Sequence, residues 1–383
     1  MKIVYCTNSI RYLGGIQRVT IVKANALAEI DGNEVYIVVT DNKNGLLVEE
    51  LSSKVKLIDL DINYYKNDYK RSFIENIFVS IYQRYKHRRK LRKFLKETNP
   101  DVVISIGMAE KFMIPAMRNR TWKIIREFHY AKNYRIDFAN TIFRRFLGHL
   151  GNFIEFKIGK YLLKWDRIVV LSNEDKSLNW KGWKNVAVIP NPTSFCSFNS
   201  STLNERVVMS MGRLSTSKNF QSLISAFKIV VEKHPDWILR IYGEGSEKLS
   251  LINQIENLGL QNNVFMMGYS NDVASCLLES SIFALSSLHE GFSLAIVEAM
   301  ECGVPVVSYQ CPCGPKDIVN DGVDGFLVPL HDERMLADRI CRLIEDDDLR
   351  KKMGAAAKER AKDYHVESVV KQWMELFEDL IKS

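Results

Sequence analysis

The sequence has no run of about 18 uncharged apolar residues, so no segment of it reads as a membrane-spanning helix. It also lacks a basic patch followed by an apolar stretch and a small-residue cleavage site, because Met1 leads straight into "KIVYC". The chain is therefore expected in the cytosol unless something tethers it. Cysteines are few: Cys6, Cys196, Cys276, Cys302, Cys311, Cys313 and Cys341, seven in 383 residues. Their odd number and irregular spacing argue against a disulfide framework and for reduced thiols. "CPCGP" at 311–315 lacks the second C-x-x-C or His cluster of structural zinc sites, and its density of turn formers points to a turn instead. Internal repeats and low-complexity tracts are absent.

What is present is ample apolar material. With 46% hydrophobic and 26% charged residues, the chain can build more than one core, and its length suggests two domains. The formal charge of +7 is unevenly spread. Residues 1–195 hold 34 Lys and Arg against 19 Asp and Glu, whereas the remainder holds 19 against 27. A basic first half points to an anionic partner, either a nucleic acid or an anionic membrane face.

Short β-branched runs alternate with longer amphipathic ones, the pattern of βα units around parallel sheets. Strands are expected at "KIVYC", "EVYIVV", "VKLIDL", "DVVISI", "WKIIREF", "DRIVVLS" and "NVAVIP", with helices near 16–31, 73–98, 137–163 and 173–181. The Pro/Ser/Asn-rich "PNPTSFCSFNSSTLNE" then reads as a linker. The alternation restarts with "RVVMSMG", "WILRIYG", "NVFMMG", "IFALSS" and "VPVVSY", separated by helices at 219–234, 245–258, 271–279 and 292–302. From about Glu333 to Ile381 the chain reads as helix, with breaks near Asp346 and Asp363. The expected division is 1–192 and 193–364, with the last helix, 365–383, packing back on the first domain.

"HEGFSLAIVEAMECGVPVV" sets Glu290 and Glu298 eight positions apart around a helix start, with Gly303 and Pro305 as stop signals. This helix follows a strand, and in an open α/β sheet ligands gather beyond the carboxyl ends of the strands. A helix N-terminus over Gly291–Leu294 suits an anion such as a diphosphate. Glu298, seven residues past Gly291, lies about 10 Å along the axis, within reach of a ribose diol. Taken alone, both acids also fit a solvated loop and an exposed helix face. Arg213 and Lys218, in "SMGRLSTSKNF", sit on another strand-to-helix loop and suit a diphosphate leaving group. Gly243 and Gly245 in "YGEGSE", and Gly14 and Gly15 in "RYLGGIQR", open two more such turns. The latter is not G-x-G-x-x-G, so a dinucleotide fingerprint is unsupported.

Together these residues resemble the retaining glycosyltransferases of the GT-B fold known as family 4, over nearly the whole chain. The resemblance rests on E-x7-E (Glu290 to Glu298), on "GG" after the first strand, "GRL" with a Lys five residues after its Arg, "YGEG", "MGY", "GVPVV" and "DGVDGFLV". It implies an α/β fold of two Rossmann-like domains facing a central cleft. It also implies transfer of a sugar from a nucleotide-sugar to a hydroxyl with retained configuration, no obligatory metal and no cofactor. Arg213 and Lys218 would bind the diphosphate, the backbone at Gly291, Phe292, Ser293 and Leu294 phosphate or sugar oxygens, Glu290 the sugar and Glu298 the ribose. Gly268 and Tyr269 would lie near the base, and Gly14 and Gly15 would approach from the first domain. His129 in "REFHY" is the candidate for the family's first-domain histidine, with Glu127 and Arg126 beside it. Ser293 stands where the family frequently has Gly. Cations and orientation, rather than a protein nucleophile, would then carry the reaction.

On the acceptor side, "RYKHRRKLRKFLKE" at 84–97 surrounds Tyr85, Leu91, Phe94 and Leu95 with cations, and "TIFRRFLGHLGNFIEFKIGKYLLK" at 141–164 is also amphipathic. Either suits an anionic leaflet, just as either suits packing on a sheet. The resemblance implies a UDP-hexose or UDP-N-acetylhexosamine donor, a lipid-linked saccharide acceptor, and work in capsule, O-antigen, lipopolysaccharide or exopolysaccharide assembly as a peripheral protein. Competing readings are a basic nucleic-acid-binding protein, a non-catalytic sugar- or lipid-binding relative, and a phosphorylase or epimerase on the same fold.

Overall fold

A computed structural model describes residues 1–11, 14–41, 49–64, 73–107, 109–119, 121–129 and 161–383. Most of the second amphipathic stretch and of the helix expected at 137–163 lies outside these residues. The chain forms two compact units, one of Met1–Val170, Trp180–Pro192 and Val366–Ser383, the other of Leu171–Asn179 and Thr193–His365.

The first unit is built on β1 (Lys2–Thr7), β2 (Glu34–Val39), β3 (Val55–Asp59), β4 (Val102–Ser105), β5 (Lys123–Glu127), β6 (Arg167–Val170) and β7 (Val186–Val188). All pair in parallel, in the order β3-β2-β1-β4-β5-β6-β7. These are the seven expected runs. β1 and β4 are apolar on both faces because each face is covered, as parallel sheets require. The described helices of this unit are α1 (Gly15–Glu29), α2 (Phe73–Thr98) and α3 (Met113–Met117), with one more from the end of the chain.

The second unit holds α4 (Asn173–Asn179), then β8 (Val207–Met211), α5 (Phe220–Lys233), β9 (Ile238–Tyr242), α6 (Lys248–Asn257), β10 (Val264–Gly268), α7 (Val273–Leu278), β11 (Ile282–Leu285), α8 (Leu294–Glu301) and β12 (Val306–Tyr309). It closes with α9 (Pro315–Ile318), β13 (Gly325–Val328), α10 (Glu333–Glu345) and α11 (Asp347–Ala361). The six strands are parallel in the order β10-β9-β8-β11-β12-β13. β13 is additional to the expected strands. Asp346 caps α11 by accepting from the Leu349 N–H at 2.9 Å, which accounts for the expected break there.

The last helix, α12 (Val366–Lys382), presents Val369, Val370, Trp373, Phe377 and Leu380 to the first unit's core beside Ile21, Ala24 and Leu27. This is a helical-period stripe, and α1 is its partner. The expected linker is tied down rather than loose. Ser194 Oγ donates to Glu298 at 2.6 Å, the Ser197 N–H to Glu301 at 2.9 Å and the Ser201 N–H to the Cys302 carbonyl at 2.8 Å. Of these contacts, the one to Glu298 needs the serine hydroxyl itself.

α2 differs from its sequence reading. Leu91 and Leu95 are buried, Phe94 is half-buried, and His87 is buried with them, so this face belongs to the core. Its exposed apolar residues are Phe78, Ile81, Tyr82 and Tyr85, nearly one heptad upstream. His87 Nδ1 lies 2.9 Å from the Tyr64 hydroxyl, and its Nε2 lies 3.6 Å from Glu110 Oε1.

Burial pushes His87 down to about 4 and pushes the Glu110 carboxyl up, so both favour their neutral forms. In the unfolded chain His87 titrates near about 6.5. The stability that neutral His87 contributes is full above that pH and is lost as pH falls towards 4, by of order 3 kcal/mol. Glu110 acts with the opposite sign, losing stability as pH rises above its unfolded value. Urea melts from pH 4 to 7 should show the acid-side loss in the wild type and a flatter profile in His87→Gln. An unchanged profile would contradict the assignment.

Candidate functional site

The second sheet reverses its winding between β8 and β11, and an open parallel sheet has its crevice at such a reversal. The loops leaving these two strands are stitched together there. The Leu288 N–H donates to the Ser217 carbonyl at 2.8 Å, Ser286 Oγ donates to the Lys218 carbonyl at 3.1 Å, and Lys218 Nζ donates to Glu290 Oε1 at 2.5 Å. The Lys218 and Glu290 side chains are 22% and 8% exposed, so the pair is sheltered while the ammonium still reaches solvent. Arg213, on the same β8 loop, is exposed and makes no ion pair among the described residues.

Three glycines of the neighbouring loops answer to backbone geometry. Gly243 has φ +148°, and a Cβ there would sit 1.9 Å from the Gly212 carbonyl oxygen. A Cβ on Gly245 would meet the Leu214 oxygen at 2.2 Å. Close approach of the β8 and β9 loops, joined by the Leu214 N–H to the Glu244 carbonyl at 3.0 Å, is thus their first requirement. Gly268 (φ +76°) accepts from the Gly243 N–H at 2.8 Å and is followed by half-exposed Tyr269.

The segment before α8 is braced from behind. The Glu290 N–H donates to the Pro312 carbonyl at 3.4 Å, and a Cβ on Gly314 would lie 2.8 Å from the Phe292 carbonyl oxygen. "CPCGP" is therefore a turn that supports the Gly291–Ser293 loop. Cys313 has φ +63°, and burial pushes its thiol up to about 12 and the Cys311 thiol higher still. Phe292 is buried with its ring edge-on to Tyr364, centroids 5.6 Å apart, and Leu294 opens the helix.

Ser293 caps α8 from the left-handed region at φ +74°, a conformation that favours glycine. Its Oγ is buried and has no hydrogen-bond partner among the described residues. An unsatisfied buried hydroxyl at a helix N-terminus is what a bound oxyanion would satisfy. Glu298, one face further along, is buried and accepts the Ser194 hydroxyl.

In the first unit the winding reverses between β1 and β4. Gly14 caps α1 with φ −176°, an extended conformation open to any residue, and Gly15 is exposed at the first turn. His129 is buried just past β5, its Nε2 3.1 Å from Glu127 Oε1. Glu127 also accepts from the buried Lys23, whose ammonium lies 4.7 Å from the centre of the Trp373 ring. Burial opposes ionisation of Glu127, but the Lys23 ammonium and the hydrogen bonds that the carboxylate accepts outweigh it and hold the carboxyl down to about 2. Burial pushes His129 down, so its neutral form dominates at neutral pH. Arg126 donates to the Ser105 carbonyl at 3.2 Å, to Ser105 Oγ at 2.8 Å and to the Gly107 carbonyl. Arg126 thereby pins the β4 loop.

Comparison with known proteins gives the same outline. Residues 13–194 match the family model described as Glycosyltransferase Family 4, and residues 197–360 match that of Glycosyl transferases group 1. An uncharacterized glycosyltransferase of Methanocaldococcus jannaschii is 30% identical over 344 residues, covering 77% of this chain and 84% of that protein. This chain belongs to the family 4 glycosyltransferases. A second relative of this glycosyltransferase, in Campylobacter jejuni, is named GalNAc-alpha-(1->4)-GalNAc-alpha-(1->3)-diNAcBac-PP-undecaprenol alpha-1,4-N-acetyl-D-galactosaminyltransferase. It is 26% identical over 377 residues, 96% of each chain. A crystal structure of a Staphylococcus aureus TarM variant, in complex with fondaparinux, alpha-GlcNAc-glycerol and UDP, superposes with a TM-score of 0.73 at 18% identity, covering 98% of this chain and 99% of that one. The fold of the glycosyltransferase is accordingly GT-B.

The loop crowding gives a prediction with an internal control. Gly243→Ala forces a backbone collision and should lower stability by at least about 3 kcal/mol. Gly259→Ala, also at positive φ but with nothing within 4 Å, should cost only about 1 kcal/mol. Denaturant melts of the two variants check this, and equal losses would contradict it.

Proposed function

We propose that the protein is a retaining hexosyl- or N-acetylhexosaminyltransferase. It takes its sugar from a UDP-linked donor bound at the second unit and delivers it to a hydroxyl of a lipid-linked saccharide in cell-surface polysaccharide synthesis. The observation that carries this reading is the Lys218–Glu290 pair across the β8/β11 reversal, beside the unsatisfied Ser293 hydroxyl. UDP in the TarM complex and the undecaprenol-linked substrate in the name of the Campylobacter relative support the choice of donor and acceptor.

On this reading the α8 N-terminus and Ser293 Oγ receive diphosphate oxygens, and Lys218 turns its remaining N–H donors on them while Glu290 holds it in place. Arg213 closes on the same charge from the exposed side. Negative charge accumulates on the diphosphate as the sugar–oxygen bond breaks, and these groups meet it without reorganising. The departing oxygen takes the acceptor proton on the face where the new bond forms, which retains the configuration. Glu290 orients sugar hydroxyls, and Glu298 exchanges the Ser194 hydroxyl for the ribose. Gly268 and Tyr269 flank the base. His129, kept neutral by burial and oriented by Glu127, serves the acceptor side together with Gly14 and Gly15.

For the acceptor to be lipid-linked, the enzyme must work at a bilayer. No helix among the described residues is long and apolar enough to cross one. On α2, exposed Phe78, Ile81, Tyr82 and Tyr85 form an i, i+3, i+4, i+7 face, and the same stripe continues into exposed Arg88, Arg89, Arg92 and Lys93. Apolar insertion at one end and cations along the rest fit an anionic leaflet.

Turnover assays over a panel of nucleotide-sugars, with lipid-linked saccharide acceptors, test the activity. Lys218→Met and Arg213→Ala should each lower kcat by about 10²-fold or more with the fold intact. Wild-type rates in both would overturn the clamp. Ser293→Gly should leave stability within about 1 kcal/mol and weaken UDP binding about fivefold, the worth of one hydrogen bond. Vesicle sedimentation tests the membrane face. With about 1 kcal/mol per cation, the triple change Arg88→Gln, Arg89→Gln, Arg92→Gln should weaken binding to phosphatidylserine vesicles by about two orders of magnitude. Preference for duplex DNA over those vesicles would instead favour a nucleic-acid partner.

A further inference from the structure

The sequence gives no metal-binding pattern, yet the second unit gathers three metal-ligating side chains from positions far apart in the chain. Cys196 Sγ, a carboxylate oxygen of Glu301 and a ring nitrogen of His365 all lie within 4.8 Å of one another. Glu301, the last residue of α8, is buried, and its two oxygens are already aimed: Oε1 accepts the Ser197 N–H at 2.9 Å, and Oε2 lies 2.9 Å from His365 Nε2. Cys196 is exposed and His365 is half-exposed, so one side of the cluster is open to an incoming ion and to water.

We propose that Cys196, Glu301 and His365 form a three-ligand site for a divalent ion of borderline softness, Zn2+ first among them, with water in a fourth position. One thiolate, one imidazole and one carboxylate make a donor set that selects Zn2+ over Mg2+ or Ca2+, which prefer all-oxygen ligation. At Zn–S about 2.3 Å and Zn–N or Zn–O about 2.0–2.2 Å, tetrahedral ligand atoms stand roughly 3.3–3.6 Å apart. The cluster reaches that spacing when the His365–Glu301 contact opens by a few tenths of an ångström and the thiol draws in. Binding requires the thiolate and releases its proton to solvent.

The position gives the site a purpose. The last two of the chain's four crossings between the units fall between Pro192 and Thr193 and between His365 and Val366. Cys196 lies just after the former, and His365 is the last residue before the latter. An ion held by both, and by Glu301, would fasten the two ends of the second unit's Thr193–His365 segment to the C-terminal end of the helix that carries Glu298. This inference concerns metal binding and holds whether or not the donor reading does.

Tag-free protein, stripped with chelator, is titrated with Co2+ as a spectroscopic probe and then with Zn2+. The proposal expects a thiolate-to-cobalt charge-transfer band that saturates at one ion per chain, its displacement by Zn2+, and a melting temperature that rises with Zn2+. Cys196→Ser, its metal-free melting temperature measured alongside, should abolish the band and weaken Zn2+ binding by more than about tenfold. His365→Gln should weaken Zn2+ binding as well. No saturable band in the wild type, or a band that persists in Cys196→Ser, overturns the site.

Discussion

Lys218 and Glu290 meet where the β8 and β11 loops leave the sheet, and hydrogen bonds between those loops keep them there. A parallel sheet that reverses its winding leaves adjacent strand ends whose following chains diverge, so the crevice between them is filled by loops rather than by helices. The Ser217–Leu288 and Lys218–Ser286 hydrogen bonds draw those loops together, and the Pro312–Gly314 turn backs the Glu290 segment. A sheltered ammonium is weakly screened and interacts more strongly with a phosphate than a solvated one would. Its carboxylate partner keeps it from collapsing elsewhere. Arg213, on the same β8 loop, is exposed and outside that pair.

α8 and its N-cap bring three of the candidate side chains onto one short helix. Its N-terminus carries the left-handed Ser293 with an unsatisfied hydroxyl, its buried face carries Glu298 against Ser194, and its last residue, Glu301, receives the Ser197 N–H and His365. The stretch that follows the first unit is thus bound along this helix by two successive acids one turn apart. Ser293 also gives a physical reason for glycine being frequent at this place in the family: a residue held at φ +74° is least costly without a Cβ. The serine accepts that strain and keeps a hydroxyl where an oxyanion is expected.

The fold was largely legible in the sequence because its central strands are buried on both faces and read as apolar runs rich in β-branched residues. β13 was not: four residues beginning at Gly325, inside the turn-rich "NDGVDGFLV", carry too little pattern. The basic stretch at 84–97 was misleading in a definite way. His87, Leu91 and Leu95 repeat every four residues and point inward, and the dense cations between them masked that stripe, while the exposed apolar face lay upstream at Phe78 to Tyr85. At the site, the E-x7-E spacing and the glycine turns were visible locally. The Lys23–Glu127 pair spans 104 positions, and Cys196, Glu301 and His365 come from three separate segments; only the sheet order and the return of the chain bring such residues together.

Lys218, Arg213 and the Ser293 turn form the proposed diphosphate seat. A crystal structure of the protein grown with UDP tests it most directly. The diphosphate is expected against Lys218 and the α8 N-terminus with an oxygen on Ser293 Oγ, and the ribose hydroxyls on Glu298. UDP bound elsewhere, or bound with Lys218 still wholly engaged by Glu290 and Ser293 Oγ still without a partner, would contradict it.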